Sequence, residues 1–221
     1  MVGLLRRLFG GGVGRSEEPS PGETMGRRDA AAADKVVVGL GNPGPQYDDT
    51  RHNVGWWVVD RLAVDWNAGS FVETGPALTT EATIGGRRVL LAKPVTYMNR
   101  SGLAVRSILR AHPHLDPAED LLVVVDDATR NVGGVRFRPG GSAGGHRGLR
   151  SVAESLGTDD YPRLRVGVGE APQGADLAAW VLSSMPSDDA EVVTALLPEL
   201  TEAMELWLEE GTRAAMNRYN R

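Results

Sequence analysis

The sequence holds no cysteine, which excludes disulfides, thiolate zinc sites and a cysteine nucleophile together. Lysine is almost missing: Lys35 and Lys93 are its only instances, a compositional bias that leaves positive charge to arginine. Aromatic residues make up 5% of the 221 positions and hydrophobic residues 41%, enough for an ordinary core but not for one built on rings. No apolar run approaches the ~20 residues that spanning a bilayer demands, so a soluble chain with no membrane partner is expected. A basic excess is lacking too, since the formal net charge is -5. Net charge averages over faces, however. Arg136, Arg138, Arg147, Arg150, Arg163 and Arg165 cluster in sequence, whereas Glu199, Glu202, Glu205, Glu209 and Glu210 crowd the C-terminal segment. A basic face on an acidic protein is therefore allowed.

Residues 1–34 differ in composition from the rest. A glycine run, scattered arginines and the segment Ser16-Glu17-Glu18-Pro19-Ser20-Pro21-Gly22 give too little apolar surface to offset ordering, so a disordered tail is expected. Its opening, MVGLLRRLF, has the look of a short amphipathic anchor or a targeting segment, but Glu17, Glu18, Glu23 and Asp29 argue against targeting. From residue 35 onward the chain reads as one domain of alternating strands and helices.

Strands are expected at 35–40, 81–84, 87–92, 121–125, 134–138 and 164–169, with Gly85-Gly86 as a two-residue hairpin turn. Helices are expected at about 53–66, 98–111, 149–156, 175–184 and 188–213. The pattern gives a three-layer α/β domain with a mixed, largely parallel central sheet flanked by helices.

The chain is organised around residues 36–53, VVVGLGNPGPQYDDTRHN. A β-branched run breaks into Gly39, Gly41, Pro43, Gly44 and Pro45, and that loop delivers Asn42, Tyr47 and His52. Polar groups issuing from a glycine loop at the end of a buried strand lie where open α/β sheets bind ligands. Two familiar patterns compete for the chemistry. Gly39-Leu40-Gly41-Asn42-Pro43-Gly44 matches the dinucleotide fingerprint, but the prolines and Asp48-Asp49 delay the helix by about two turns at ~3.6 residues each. Gly140-Gly141-Ser142-Ala143-Gly144 matches a nucleophile elbow, yet only His146 follows it, too close in sequence to be the serine's partner.

Of the four histidines, His112 and His114 flank Pro113 in an expected surface turn. His52 and His146 both stand at helix starts, where the helix dipole disfavours the imidazolium. Asp126, ending an apolar run, is a carboxylate at a strand terminus that could hold one nitrogen of His52 and leave the other to take a proton from water. Helix capping by His52 and a turn role for Asp126 are the plainer alternatives. Asn42, Met98-Asn99 and Arg147 offer donors for a substrate carbonyl or an oxyanion. A base, an orienting acid and amide donors, with no expected metal cluster and no serine or cysteine nucleophile, suit water-mediated hydrolysis of an activated carbonyl such as an ester.

The motifs GLGNPGPQYDDTRHNVGWWVVD, LAKPVTYMNRSG, VVVDD, VRFRPGGSAGGHRGLRS and PRLRVGVG, in this order from about residue 35 to the end, resemble bacterial-type peptidyl-tRNA hydrolases. The resemblance implies cleavage, without cofactor or metal, of the ester joining a peptide to the terminal ribose of tRNA, by a cytoplasmic monomer whose partner is the acceptor end and its attached peptide. It implies that His52 is the general base, Asp126 its supporting carboxylate and Asn42 the amide that senses the acylated amino end. It places Tyr47, Tyr97, Met98, Asn99, His146 and Arg147 along the cleft, assigns Arg138 and Arg165 to tRNA phosphate, and likens 175–184 to a flap. The chain departs from the family where Arg147 replaces an asparagine, and where Asp126-Asp127-Ala128-Thr129 replaces Asp-Glu-Leu-Asp. Those departures keep open a divergent paralogue of weak or no activity that binds RNA or the ribosome.

Overall fold

Two apolar runs anchor the sheet: β1 (Lys35–Gly39) and β5 (Leu121–Asp127) lie side by side and parallel. Both are covered on both faces, which is why each reads as a near-continuous valine and leucine run rather than an alternating one. The computed structural model describes residues 33–221. The remaining strands are β2 (Val72–Thr74), β3 (Ala77–Ile84), β4 (Arg87–Pro94), β6 (Val135–Arg138) and β7 (Arg163–Gly167). The sheet order is β2-β3-β4-β1-β5-β7-β6. The four central strands β4, β1, β5 and β7 are parallel, and antiparallel strands flank them on both sides. The expected mixed, largely parallel sheet is what forms.

The helices are α1 (Val54–Asp65), α2 (Ser101–Ala111), α3 (Pro117–Asp120), α4 (Arg147–Leu156), α5 (Leu177–Leu182), α6 (Ser187–Glu210) and α7 (Thr212–Tyr219), with 3-10 turns at Arg51–Asn53 and Met98–Arg100. On one face Val36, Val38, Leu121, Val123 and Val125 pack with Ala104, Val105 and Ile108 of α2 and with Leu149 and Val152 of α4. The alternate residues Val37, Leu122 and Val124, equally buried, turn to the opposite face, which α1 covers through Val58, Val59 and Leu62. Thr201 Oγ1 donates to Asp65 Oδ2 (2.7 Å) and Trp66 Nε1 to Glu205 Oε1 (3.0 Å), fastening α6 over the end of α1. The free edge of β6 is closed by the C-terminal residues: Arg221 N donates to Val135 O (2.9 Å) and Phe137 N to Asn220 Oδ1 (2.6 Å).

Several expected boundaries shift, each for a local reason. β3 starts at Ala77, and a second hairpin adds β2, because Gly75 takes φ +57 and turns the chain ahead of Pro76. Gly85 and Gly86 (φ 55 and 81) make the expected two-residue turn. The helix expected over 188–213 ends at Glu210; Gly211 (φ +84) breaks it and α7 follows. Of the expected tail, residues 1–32 lie outside the described residues, whereas Ala33 is fully buried and Asp34 pairs with Arg88 through two hydrogen bonds (2.8 and 2.7 Å). These two residues belong to the fold. Among the described residues no helix is long and apolar enough to cross a membrane.

Gly55 lets α1 reach the sheet. A Cβ there would lie 2.5 Å from Leu40 O and 2.6 Å from Val124 O, backbone atoms of the two central strand ends that cannot yield separately. Gly55→Ala should therefore cost about 1–3 kcal/mol or more by overpacking. A lowered denaturation midpoint at unchanged m-value checks this.

Candidate active site

Because β4, β1, β5 and β7 run parallel, their carboxyl ends share one edge of the sheet, and that edge carries the cleft. The Gly39–Gly44 loop leaves β1 there; Asp126 and Asp127 end β5; the Met98–Arg100 turn follows β4; Arg165 lies on β7. A cleft of about 430 Å³ opens between them, bounded on its far side by α5. Asn42, Tyr47, His52, Tyr97, Met98, Asn99, Asp126, His146, Arg147 and Arg165 all line it. Arg138 does not: it lies with Arg130, Arg136 and Arg221 in a separate basic pocket at the β6 edge.

The glycines that mimicked a dinucleotide fingerprint have another purpose. A Cβ on Gly39 would collide with Gly55 O, and one on Gly41 would lie 2.7 Å from the Trp56 ring, so both permit close approach of α1. The helix itself begins only at Val54, too late to meet a pyrophosphate at the loop. Ser142 is exposed and does not line the cleft, which removes the nucleophile elbow.

At the floor of the cleft His52 Nδ1 lies 2.7 Å from Asp126 Oδ1, with His52 7% and Asp126 2% exposed. His146 Nε2 approaches the same oxygen at 3.0 Å. Its Nδ1 accepts from Gly148 N and Leu149 N (3.1 and 3.2 Å), capping α4. A nitrogen that accepts two N–H groups carries no proton, so His146 is the Nε2–H tautomer and donates to Asp126. Burial alone would raise the pKa of Asp126, but charge interaction with both imidazoles and their hydrogen bonds outweigh it and hold the carboxyl below its ordinary value. The ionised Asp126 can only accept, which assigns the proton of His52 to Nδ1 and leaves its Nε2 lone pair without a partner among the described residues. His52 makes no capping hydrogen bond.

His52, Asp126 and His146 have the composition of a metal trio, with ligand atoms within 4.8 Å of one another. Sequence spacing concealed this grouping, because 20 residues separate Asp126 from His146. The hydrogen bonds do not suit a cation. A metal on His146 Nε2 would require an imidazolate or the loss of the α4 cap, since Nδ1 already accepts two backbone protons.

Asn42 is oriented as strictly as the histidines. Asn42 N donates to Asn53 Oδ1 (2.8 Å) and Asn53 Nδ2 returns a bond to Asn42 O (3.0 Å). Met98 N donates to Asn42 Oδ1 (2.8 Å). With its oxygen occupied, the amide offers its Nδ2 hydrogens to the cleft. Asn99 and Arg147 are exposed along the same wall, and Tyr47 and Tyr97 meet edge to face at 6.5 Å. Arg165 Nε donates to Asp127 Oδ2 (2.9 Å), while Thr129 holds Asp127 Oδ1 through N (3.1 Å) and Oγ1 (2.7 Å). Asn53, Asp127 and the α5 residues Leu177, Val181 and Leu182 also shape the site. The expected flap at 175–184 points to α5 as a segment, though not to these side chains, and the pair of amides, Asn42 and Asn53, bracketing the loop is a second signal in the sequence.

Burial also lowers the pKa of His146, against the opposing pull of Asp126. Both shifts give the folded state less affinity for protons than the unfolded chain. Stability is complete above about pH 6.5; the His146 contribution is lost as pH falls below that unfolded value, and the Asp126 contribution below about 3.8. The denaturation midpoint should hold from pH 8 to 7 and decline below 6.5. His146→Asn, which can still cap α4, should flatten the part of the decline between about pH 6.5 and 5.

Known proteins resemble this chain over the region that carries the cleft. The family model for peptidyl-tRNA hydrolase matches residues 36–221. A peptidyl-tRNA hydrolase of Gemmatimonas aurantiaca is 45% identical over 190 residues, covering 85% of this chain and 100% of the relative. One from Symbiobacterium thermophilum is 45% identical over 188 residues, covering 84% and 98%. The crystal structure of peptidyl-tRNA hydrolase from Acinetobacter baumannii superposes with a TM-score of 0.78 at 31% identity, covering 84% of this chain and 94% of that one. Sequence and fold thus agree over the whole region that builds the cleft, and the chain belongs to the peptidyl-tRNA hydrolase family.

Proposed function

We propose that this chain hydrolyses the ester between a peptide and the ribose of the terminal adenosine of tRNA, releasing free tRNA for reuse. The observation that carries the reading is the unpaired Nε2 of His52, held by Asp126 on the other ring nitrogen, facing the same cleft as the Asn42 amide. His52 Nε2 takes a proton from water as that water's oxygen attacks the ester carbonyl. Asn42 Nδ2 and Asn99 donate to the carbonyl oxygen as it gains charge. Collapse breaks the bond to the ribose oxygen, which receives the proton back from His52, and the peptide leaves as its acid. His146 holds Asp126 and caps α4, so it acts by positioning. Tyr47, Tyr97 and Met98, with the apolar residues of α5, form the surface for the peptide.

Arg165 beside the cleft and Arg138 in the pocket at the β6 edge supply cations for tRNA phosphate, which positions without specifying sequence. One chain provides every group in this scheme, as a monomer requires, and no step calls for a cofactor. We place the activity in the cytoplasm, where its substrate arises, with the catalytic domain at 33–221, since Ala33 and Asp34 pack into the fold.

The test is turnover of N-acetylaminoacyl-tRNA beside a binding titration. Ester cleavage supports the reading, whereas tRNA affinity with a steep salt dependence and no cleavage would indicate a silent RNA-binding paralogue. Arg147 stands exposed in the first turn of α4, where its charge opposes the helix dipole, and no partner holds it among the described residues. Arg147→Asn should therefore raise turnover several-fold. A fall would show that the arginine is a working part.

A further inference from the structure

Arg51 immediately precedes the base, and its side chain is buried, at 3% exposure, against the other wall of the cleft. Nε donates to Val168 O (3.3 Å), and Nη1 donates to Ser183 Oγ (2.6 Å) and Ser184 O (3.1 Å). Cζ lies 3.8 Å from the centroid of the Trp180 ring, and Asp189 Oδ2 stands 3.8 Å from Nη2. Trp180 is itself fixed, its Nε1 donating to Gly169 O (3.2 Å). The backbone adds a short antiparallel strap: Arg51 N donates to Ser183 O (3.3 Å), Met185 N to Asp49 O (2.9 Å), and Thr50 bridges Ser184.

These contacts join two parts of the site that are remote in sequence. α5 carries Leu177, Val181 and Leu182 into the cleft, yet it spans six residues and leaves Leu177 and Leu182 44% and 41% exposed. A helix that short has little stability of its own, so its place is set by what ties it down. The tie runs to the turn that holds His52. Arginine suits the task because one planar fork reaches three acceptors and still stacks on an indole, which an ammonium cannot do.

We propose that Arg51 is a positioning residue that locks α5 to the His52 turn, so that a peptide seated on α5 presents its ester at His52 Nε2. This rests on the hydrolase reading above and adds that the wall and the base keep one shared geometry. An arginine-to-lysine change retains the charge but loses the fork and the stack. Because small misplacements of reacting groups cost heavily, Arg51→Lys should lower kcat about tenfold with KM within about twofold. A loss confined to KM, or one that only follows the folded fraction, would overturn the proposal.

Hydrogen exchange decides the coupling without recourse to activity. Trp180→Leu changes a residue of α5, removing its stack on Arg51 and its bond to Gly169 O, and leaves the residues of the turn itself unchanged. The probes are the amides of Asn53 and Val54, which bond inside the turn, to Thr50 O and Arg51 O, and not to α5. Their exchange should quicken together with that of residues 177–183. Faster exchange in 177–183 with Asn53 and Val54 unchanged would overturn the lock, whatever the turnover. Absence of turnover in the wild type would instead count against the hydrolase reading, with the exchange result still deciding whether the two segments are coupled.

Discussion

Asp126→Ala should reduce turnover of blocked aminoacyl-tRNA by about 100-fold or more and also weaken the fold. Both effects follow from one oxygen. His52 and His146 each donate to Asp126 Oδ1, at 2.7 and 3.0 Å. Alanine leaves two buried N–H groups unpaired, at a cost of about 1–3 kcal/mol each. Asp126→Asn separates the two roles. An amide with its oxygen in the Oδ1 position still accepts from both imidazoles, so most of the stability should remain. It carries no charge to oppose the imidazolium formed when His52 takes its proton, so turnover should fall nearly as far as in the alanine variant. Denaturation midpoints and kcat for the two variants check this. An asparagine variant as active as wild type would show that orientation alone suffices.

His52→Ala should cost about 100-fold or more in kcat while KM changes little. In the proposed mechanism His52 Nε2 meets a proton in transit, and the cleft contacts that bind substrate come from other residues. The methyl of alanine leaves Asp126 still bonded to His146, so the α4 cap and the Gly148 contacts are preserved. The fold should therefore stay near wild-type stability. A comparable loss in KM would move His52 from catalysis to binding.

The legible parts of this protein are those where one residue's neighbours in sequence decide its fate. β1 and β5 show as apolar runs because both faces are covered, and the Gly85-Gly86 turn because both residues need positive φ. The pairing of His52 with Asp126 was inferable from chemistry, since each ends or follows a buried strand. The sheet order was not, because it depends on crossovers rather than on local pattern. β2 has no such signature for a different reason: Val72–Thr74 is exposed throughout and carries no burial pattern.

Gly39 and Gly41 mimic a phosphate-binding fingerprint because loop glycines serve phosphate binding and helix approach alike; the late helix start already spoke against the first use, and the contacts with Gly55 and Trp56 show the second. His146 lines the cleft as expected, but both of its nitrogens are spent inside the protein, a use that no neighbour in sequence announces. Arg51 gave no sign at all. Its partners, Val168, Trp180, Ser183 and Ser184, lie more than a hundred positions away, and nothing in a Thr-Arg-His-Asn run announces them.

In the proposed mechanism a water that His52 deprotonates attacks the ester directly, with no protein side chain acylated on the way. A single turnover of tRNA carrying a labelled N-acetylaminoacyl group, quenched in denaturant at successive times, tests this. The label should pass from tRNA to the free acid without ever appearing on the protein. Label bound to the denatured chain at early times, decaying as the acid forms, would contradict it.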